Sequence, residues 1–161
     1  MFQGDLDDFL EAVMKTTRFA WMTIAIAAVL LIPLTAVAEH PGEGGKPLTI
    51  TLTGEAEAPG PGDADGEGTA TLRLNPGQEE ICYEIDVTGI DEATGAHIHQ
   101  GGAGEAGPPV VTLDAPTDGT AGGCAPAERA LVRMMIQNPE GFYVNVHTEA
   151  FPDGAVRGQL G

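Results

Sequence analysis

The sequence predicts an all-β fold, an antiparallel β-sandwich with one short helix near residues 126–137, and three observations lead there. Short runs alternate apolar and polar residues with a period of two. The runs are separated by turns that use most of the 23 glycines and 12 prolines. A single stretch switches to the spacing of a helix.

Leu48-Thr49-Ile50-Thr51-Leu52 alternates apolar and hydroxyl side chains, as a half-buried strand does, and Thr69–Leu74 repeats the pattern before an Asn75-Pro76-Gly77 turn. In Ile81–Val87, Ile81, Tyr83, Ile85 and Val87 share one face, while Cys82, Glu84 and Asp86 share the other. Further strands are predicted at Ala96–His99, Val110–Leu113, Phe142–His147 and Ala155–Leu160. The helix is predicted from Leu131, Met134 and Met135 at i, i+3 and i+4, with Asn138-Pro139 ending it. Its methionines are expected to fill the core rather than bind metal.

The chain has 161 residues, enough for one ordinary domain. Phe19–Ala38 carries no charge, Lys15 and Arg18 precede it, and Ala36-Val37-Ala38 offers small residues at a cleavage position. These are the parts of an export signal, so residues 14–38 are expected to be a signal peptide cleaved after Ala38. If uncleaved, the same run is long enough to span a bilayer, and this is the one route to a membrane. Asp5, Asp7, Asp8 and Glu11 place negative charge where an export signal wants positive, so residues 1–13 are expected to be an over-extended start, with translation from Met14. Residues 39–46 read as a flexible lead-in and 47–161 as the domain.

A net charge of -17 sets the chain against nucleic acid, whose phosphates need the opposite sign. Removing residues 1–38 takes away Lys15, Arg18 and the four acids named above, which leaves five basic and twenty acidic residues, a net -15. Such a surface is soluble and repels acidic polymers. No serine occurs anywhere, so serine-hydrolase chemistry is excluded.

Two cysteines in an exported chain most simply pair with each other, so a Cys82–Cys124 disulfide is predicted, with Cys124 in a Gly122-Gly123 loop. Their spacing lacks the CxxC pattern of redox or metal-binding thiols.

His97 and His99, one residue apart on a predicted strand, point to the same face. His147 ends another strand on the face of Tyr143 and Asn145. If these strands are neighbours, the three imidazoles can meet and bind copper or zinc. The alternative is a polar network in which the histidines hydrogen-bond backbone and turn groups. His40, beside the cleavage point, is discounted as a designed ligand. Asp63-Ala64-Asp65-Gly66-Glu67-Gly68 opens like a calcium loop, but Leu74 stands where the bidentate Glu is required, so an acidic hairpin turn is expected.

Taken in order, Gly95-Ala96-His97-Ile98-His99, Gly101–Gly107 with Pro108, Asn138-Pro139, Tyr143–Thr148, Phe151-Pro152-Asp153-Gly154 and Val156-Arg157-Gly158-Gln159-Leu160 closely resemble the CHRD domain. That module is named for its repeats in chordin and also occurs alone in small exported bacterial proteins. The resemblance runs from about Leu48 to the end of the chain. It implies a β-sandwich-like extracellular domain, consistent with cysteines at 82 and 124, and it implies little about activity. Within the motif, Gly154 and Gly158 suit a tight turn and a close backbone approach. Arg157 can bridge carboxylates or cap strand ends through its planar fork, and Asn145 and Gln159 complete the structural set.

A weaker similarity is to copper/zinc superoxide dismutases, which are also β-sandwiches with His-x-His and a later His as copper ligands. His97, His99 and His147 match those positions, but with His40 discounted no further His is left to bridge to a zinc site. The sandwich is therefore expected to be immunoglobulin-like or superoxide-dismutase-like. The leading expectation is a non-enzymatic binding or structural module, secreted or periplasmic, that needs no cofactor and meets an extracytoplasmic protein or a metal ion. The alternative is a copper or zinc protein using the three histidines, without full dismutase activity.

Overall fold

The computed structural model describes residues 44–161, and the predicted leader and start lie outside the described residues, as does His40. Eight strands follow in chain order: β1 Lys46–Thr53, β2 Glu67–Asn75, β3 Glu80–Thr88, β4 Ala93–Gln100, β5 Pro109–Leu113, β6 Thr120–Pro126, β7 Phe142–Thr148 and β8 Val156–Gln159. Among the described residues one α-helix, α1, spans Arg129–Gln137.

Period-two patterning decides which face of each strand is dry. Ile50 and Leu52, then Ala70, Leu72 and Leu74, then Ile81, Ile85 and Val87 are buried in a single core, which Ala96, Ile98, Val144 and Val146 join from the other side of the molecule. Tyr83 belongs to this core, and its hydroxyl accepts a hydrogen bond from the Asp114 N–H at 2.9 Å. The β1–β2 register sets Ile50 opposite Ala70, and the β2–β3 register sets Ala70 opposite Ile85, so apolar residues stack in rows across neighbouring strands.

All neighbouring strands are antiparallel, and they form one continuous sheet in the order β5-β4-β7-β8-β1-β2-β3-β6. The expected division into two sandwiched sheets gives way to this single sheet, because Thr53 of β1 pairs with Arg157 of β8 and joins the two halves. Edge strands β5 and β6 come into contact, so the sheet curls into a nearly closed barrel around the core.

Two local readings need correction. Cys124 sits in strand β6, not in a loop, and directly faces Cys82 of β3. Thr120–Gly123 carries no apolar pattern, and its strand comes from pairing with β3. The helix starts at Arg129 because residues up to Pro126 still belong to β6. Its inward residues are Val132 and Met135, both fully buried, while Met134 is exposed. The helix ends as predicted, with the Asn138 N–H donating to the Met134 carbonyl before a 3-10 turn at Pro139–Gly141.

The acidic Asp63–Gly66 segment is a turn between β1 and β2. The Asp65 N–H donates to Asp63 Oδ1, and the Gly66 N–H donates to the Asp63 carbonyl. Among the described residues no helix is long and apolar enough to cross a membrane.

Candidate functional site

Strand β7 is buried on both faces, which a strand with one side in water would not be. Phe142, Val144 and Val146 point into the barrel core. Tyr143, Asn145 and His147 alternate with them and project to the outer face, where loops around residues 57–61, 101–109 and 150–154 cover the sheet. His97 and His99 reach this outer face from β4, whose Ala96 and Ile98 fill the core.

The β4–β7 register places His99 opposite Tyr143, His97 opposite Asn145 and His147 opposite Gly95. His97 and His147 are thus diagonal neighbours, within reach of each other's rings. Nδ1 of His97 lies 3.1 Å from Nε2 of His147. One ring nitrogen from each of the three histidines falls within 4.8 Å of the other two. The rings meet edge to face for His97 with both partners, at centroid separations of 5.5 Å to His99 and 5.1 Å to His147.

Backbone carbonyls set the tautomers. Nδ1–H of His99 donates to the Gly107 carbonyl at 2.9 Å, and Nδ1–H of His147 donates to the Pro152 carbonyl at 3.0 Å. In the neutral rings this leaves Nε2 of both as lone-pair nitrogens. Burial, followed by the neighbouring His99, holds the His97 pKa below the ordinary imidazole value. Burial and then His97 do the same to His147, opposed by its bond to Pro152. The rings line an open pocket of about 480 Å³ together with Tyr143, Ala106 and Asp153.

A stack of side chains braces the floor of the pocket. The Tyr143 ring lies nearly parallel to His99, with centroids 4.9 Å apart and planes at 12°. Arg157, from β8 on the other side of β7, sets its guanidinium carbon 3.4 Å from the Tyr143 ring centroid. This guanidinium is 1% exposed. It donates to the Gly102 carbonyl at 2.7 Å, the Glu105 carbonyl at 2.9 Å and Gln159 Oε1 at 3.3 Å. Gln159 Nε2 donates to the Gly101 and Glu140 carbonyls. Tyr143 Oη accepts from the Gly107 N–H at 3.1 Å. Arg157, Gln159, Tyr143 and His99 therefore fasten both ends of the 101–107 loop over the sheet. The planar fork of Arg157 is directed at carbonyls of the 101–107 loop, which lies between β4 and β5.

A family model, the CHRD domain, matches residues 48–160. The chain belongs to the CHRD domain family. No curated protein and no solved structure matches it.

In this CHRD domain His97, His99, Tyr143, His147, Pro152 and Asp153 of the motif line the histidine pocket. Asn145 uses Nδ2 to donate to both carboxylate oxygens of Glu57, at 2.9 and 3.0 Å. Gly154 has φ of 145°, and a Cβ there would collide with Glu57 and Asn145. Gly158 lets β8 lie against the backbone of β1, where a Cβ would meet the Thr51 carbonyl. Cys82 and Cys124 are bonded, with S–S 2.05 Å and Cα atoms 3.8 Å apart, and lie on other strands, β3 and β6.

Glu57 is the site residue that strand patterning does not reveal. It stands in a Gly/Ala/Pro-rich arm between β1 and β2, and its sole sequence signal is an acid flanked by small apolar residues. Burial raises its pKa to about 7, against the Asn145 hydrogen bond and the Arg157 charge, which both lower it. It lines a second open pocket of about 280 Å³ that shares Ala58, Pro59, Pro152 and Asp153 with the histidine pocket.

Proposed function

We propose that this CHRD domain is a non-enzymatic binding module that works outside the cytoplasm and takes its ligand in the histidine pocket. The observation that carries this reading is the loop cover on the outer face. A buried guanidinium, a glutamine and a tyrosine are all committed to holding Gly101–Gly107 beside an open pocket. Preorganised loops around a concave site are what selective binding requires.

Work in an oxidising compartment is supported by the Cys82–Cys124 disulfide and by the uncharged Phe19–Ala38 run behind Lys15 and Arg18. A non-enzymatic role is supported by the side chains themselves. The chain has no serine, both cysteines are bonded to each other, and Glu57, the one carboxyl among the described residues with a strongly raised pKa, is engaged by Asn145. The net charge of -17 favours a metal ion or an extracytoplasmic protein over nucleic acid as partner. Contact with a membrane is confined to an uncleaved leader.

Site-specific photo-crosslinking in the native cells tests this reading. A crosslinker at Ala106, on the pocket rim, is expected to give a discrete adduct with a component outside the cytoplasm. The same group at Met134, exposed on the helix, is expected to give none. Equal labelling from both positions, or a chain retained in the cytoplasm with free thiols, contradicts the proposal.

A further inference from the structure

We infer that His97, His99 and His147 bind one copper or zinc ion through Nδ1 of His97, Nε2 of His99 and Nε2 of His147, leaving a fourth position open to the pocket. This deepens the reading of the pocket as the binding site and rests on it.

The first support is an unpartnered atom. Nε2 of His99 is buried without a hydrogen-bond partner, in a residue only 8% exposed. Its ring cannot turn to relieve this, because Nδ1–H is held by the Gly107 carbonyl and the ring is stacked on Tyr143. A lone pair fixed in this way, on a ring whose centroid lies 5.5 Å from that of His97 and 5.8 Å from that of His147, costs stability unless something accepts it. A hydrogen-bonded histidine network satisfies His97 and His147 through their 3.1 Å contact and leaves His99 out. A cation at the centre serves all three.

Distances agree with an ion of this class. Copper and zinc sit about 2.0–2.1 Å from imidazole nitrogen, which by triangle geometry sets nitrogen pairs about 3.3–4.1 Å apart. Nδ1 of His97 and Nε2 of His147 are 3.1 Å apart, and one ring nitrogen of each of the three histidines lies within 4.8 Å of the others, so the cluster spans that range. The Gly107 and Pro152 carbonyls accept Nδ1–H from two of the ligands, the outer-shell arrangement that orients ligating histidines. In the ion-free protein Nδ1–H of His97 donates to His147. On binding, that proton moves to Nε2 of His97 and frees Nδ1, with no change in the charge of the ring.

The donor set selects the metal. Three neutral imidazoles, without thiolate or carboxylate among the converging atoms, suit copper and zinc and offer nothing to calcium or magnesium, which demand oxygen. Copper(II) binds such a site more tightly than zinc. The open fourth position is available to water or to a ligand entering the pocket.

The test uses tagless protein in the form that cells accumulate, dialysed after addition of copper sulfate or zinc sulfate alone. One retained ion per chain is expected, with affinity falling at least about 100-fold in His99→Ala and in His147→Ala, more than an outer-shell change would cost. Circular dichroism confirms that each variant is folded, and His→Gln variants replace any that are not. An ion-free folded wild type overturns the inference. So does an ion whose affinity is the same in all the variants, since it then sits elsewhere. The Ala106 crosslink separates the two proposals: an adduct without a bound ion overturns the metal site and keeps the pocket, whereas loss of both overturns the pocket reading as well.

Discussion

Nδ1 of His97 and Nε2 of His147 lie 3.1 Å apart although 50 residues separate them in the chain. The β4–β7 pairing makes them diagonal neighbours, and the alternation of β7 sends His147 to the face opposite Val144 and Val146. The same register sets His99 against Tyr143, and Tyr143 in turn meets Arg157. The pocket is thus a product of strand pairing, and the loops that cover it are fastened by side chains from those strands.

Arg157→Lys tests the fastening. A lysine keeps the charge but loses the planar fork that donates to the Gly102 and Glu105 carbonyls and the stacking on Tyr143. The expected cost is about 2–4 kcal/mol in urea unfolding, the range for disrupting a buried, hydrogen-bonded charge. Faster amide exchange at residues 101–107 is expected with it. Unchanged stability and exchange would show that the loop is held by other contacts.

The disulfide is expected to stabilise the barrel from the side away from the pocket. It joins the directly paired residues Cys82 and Cys124, 42 positions apart, and ties edge strand β6 to β3. Replacing both cysteines by alanine should lower stability by about 2–4 kcal/mol in the chain-entropy account. Denaturant titration of the two proteins checks this. A loss well under 1 kcal/mol would mean that β6 is secured by its backbone ladder alone.

Much of this architecture is legible in the sequence, because burial on one face writes a period of two into Ile50–Leu52, Ala70–Leu74 and Ile81–Val87. The same rule puts His97 and His99 on one face and finds Cys82 on the face opposite Tyr83. Strand β6 escapes it, since Gly122 and Gly123 have no side chain to show which way they point. Alternation also says nothing about which strands are neighbours, so the joining of β1 to β8, which turns an expected sandwich into one curled sheet, could not be read. On the helix, Met134 and Met135 look alike in a periodic pattern, and the packing against β2 and β3 decides that Met135 goes inside. Glu57 meets Asn145 across 88 residues through a loop with no periodicity.

Glu57 gives the domain a pH dependence of definite sign. Its pKa is about 7 in the folded chain against an ordinary 4.5, so the folded state holds the proton more tightly. The resulting stabilisation is complete below about pH 4.5 and is lost as pH rises through about 7. Glu57→Gln keeps an uncharged side chain at every pH. Relative to that variant, the wild type should lose on the order of 1 kcal/mol between about pH 5 and pH 8, after allowance for solvent screening of a part-exposed group. Thermal melts of both proteins across this range check the difference, and parallel curves would contradict it.

The most direct test of the account is a nitrogen-15 NMR titration of the histidine rings with zinc, which is diamagnetic and reports each ring nitrogen separately. Before zinc, His99 and His147 are expected to carry their proton on Nδ1, held by the carbonyls of Gly107 and Pro152. With one equivalent, Nε2 of His99, Nε2 of His147 and Nδ1 of His97 should move together to metal-bound positions, and His97 should change tautomer. Shifts confined to His40, or none in these three rings, would contradict the claim that His97, His99 and His147 together hold a metal ion.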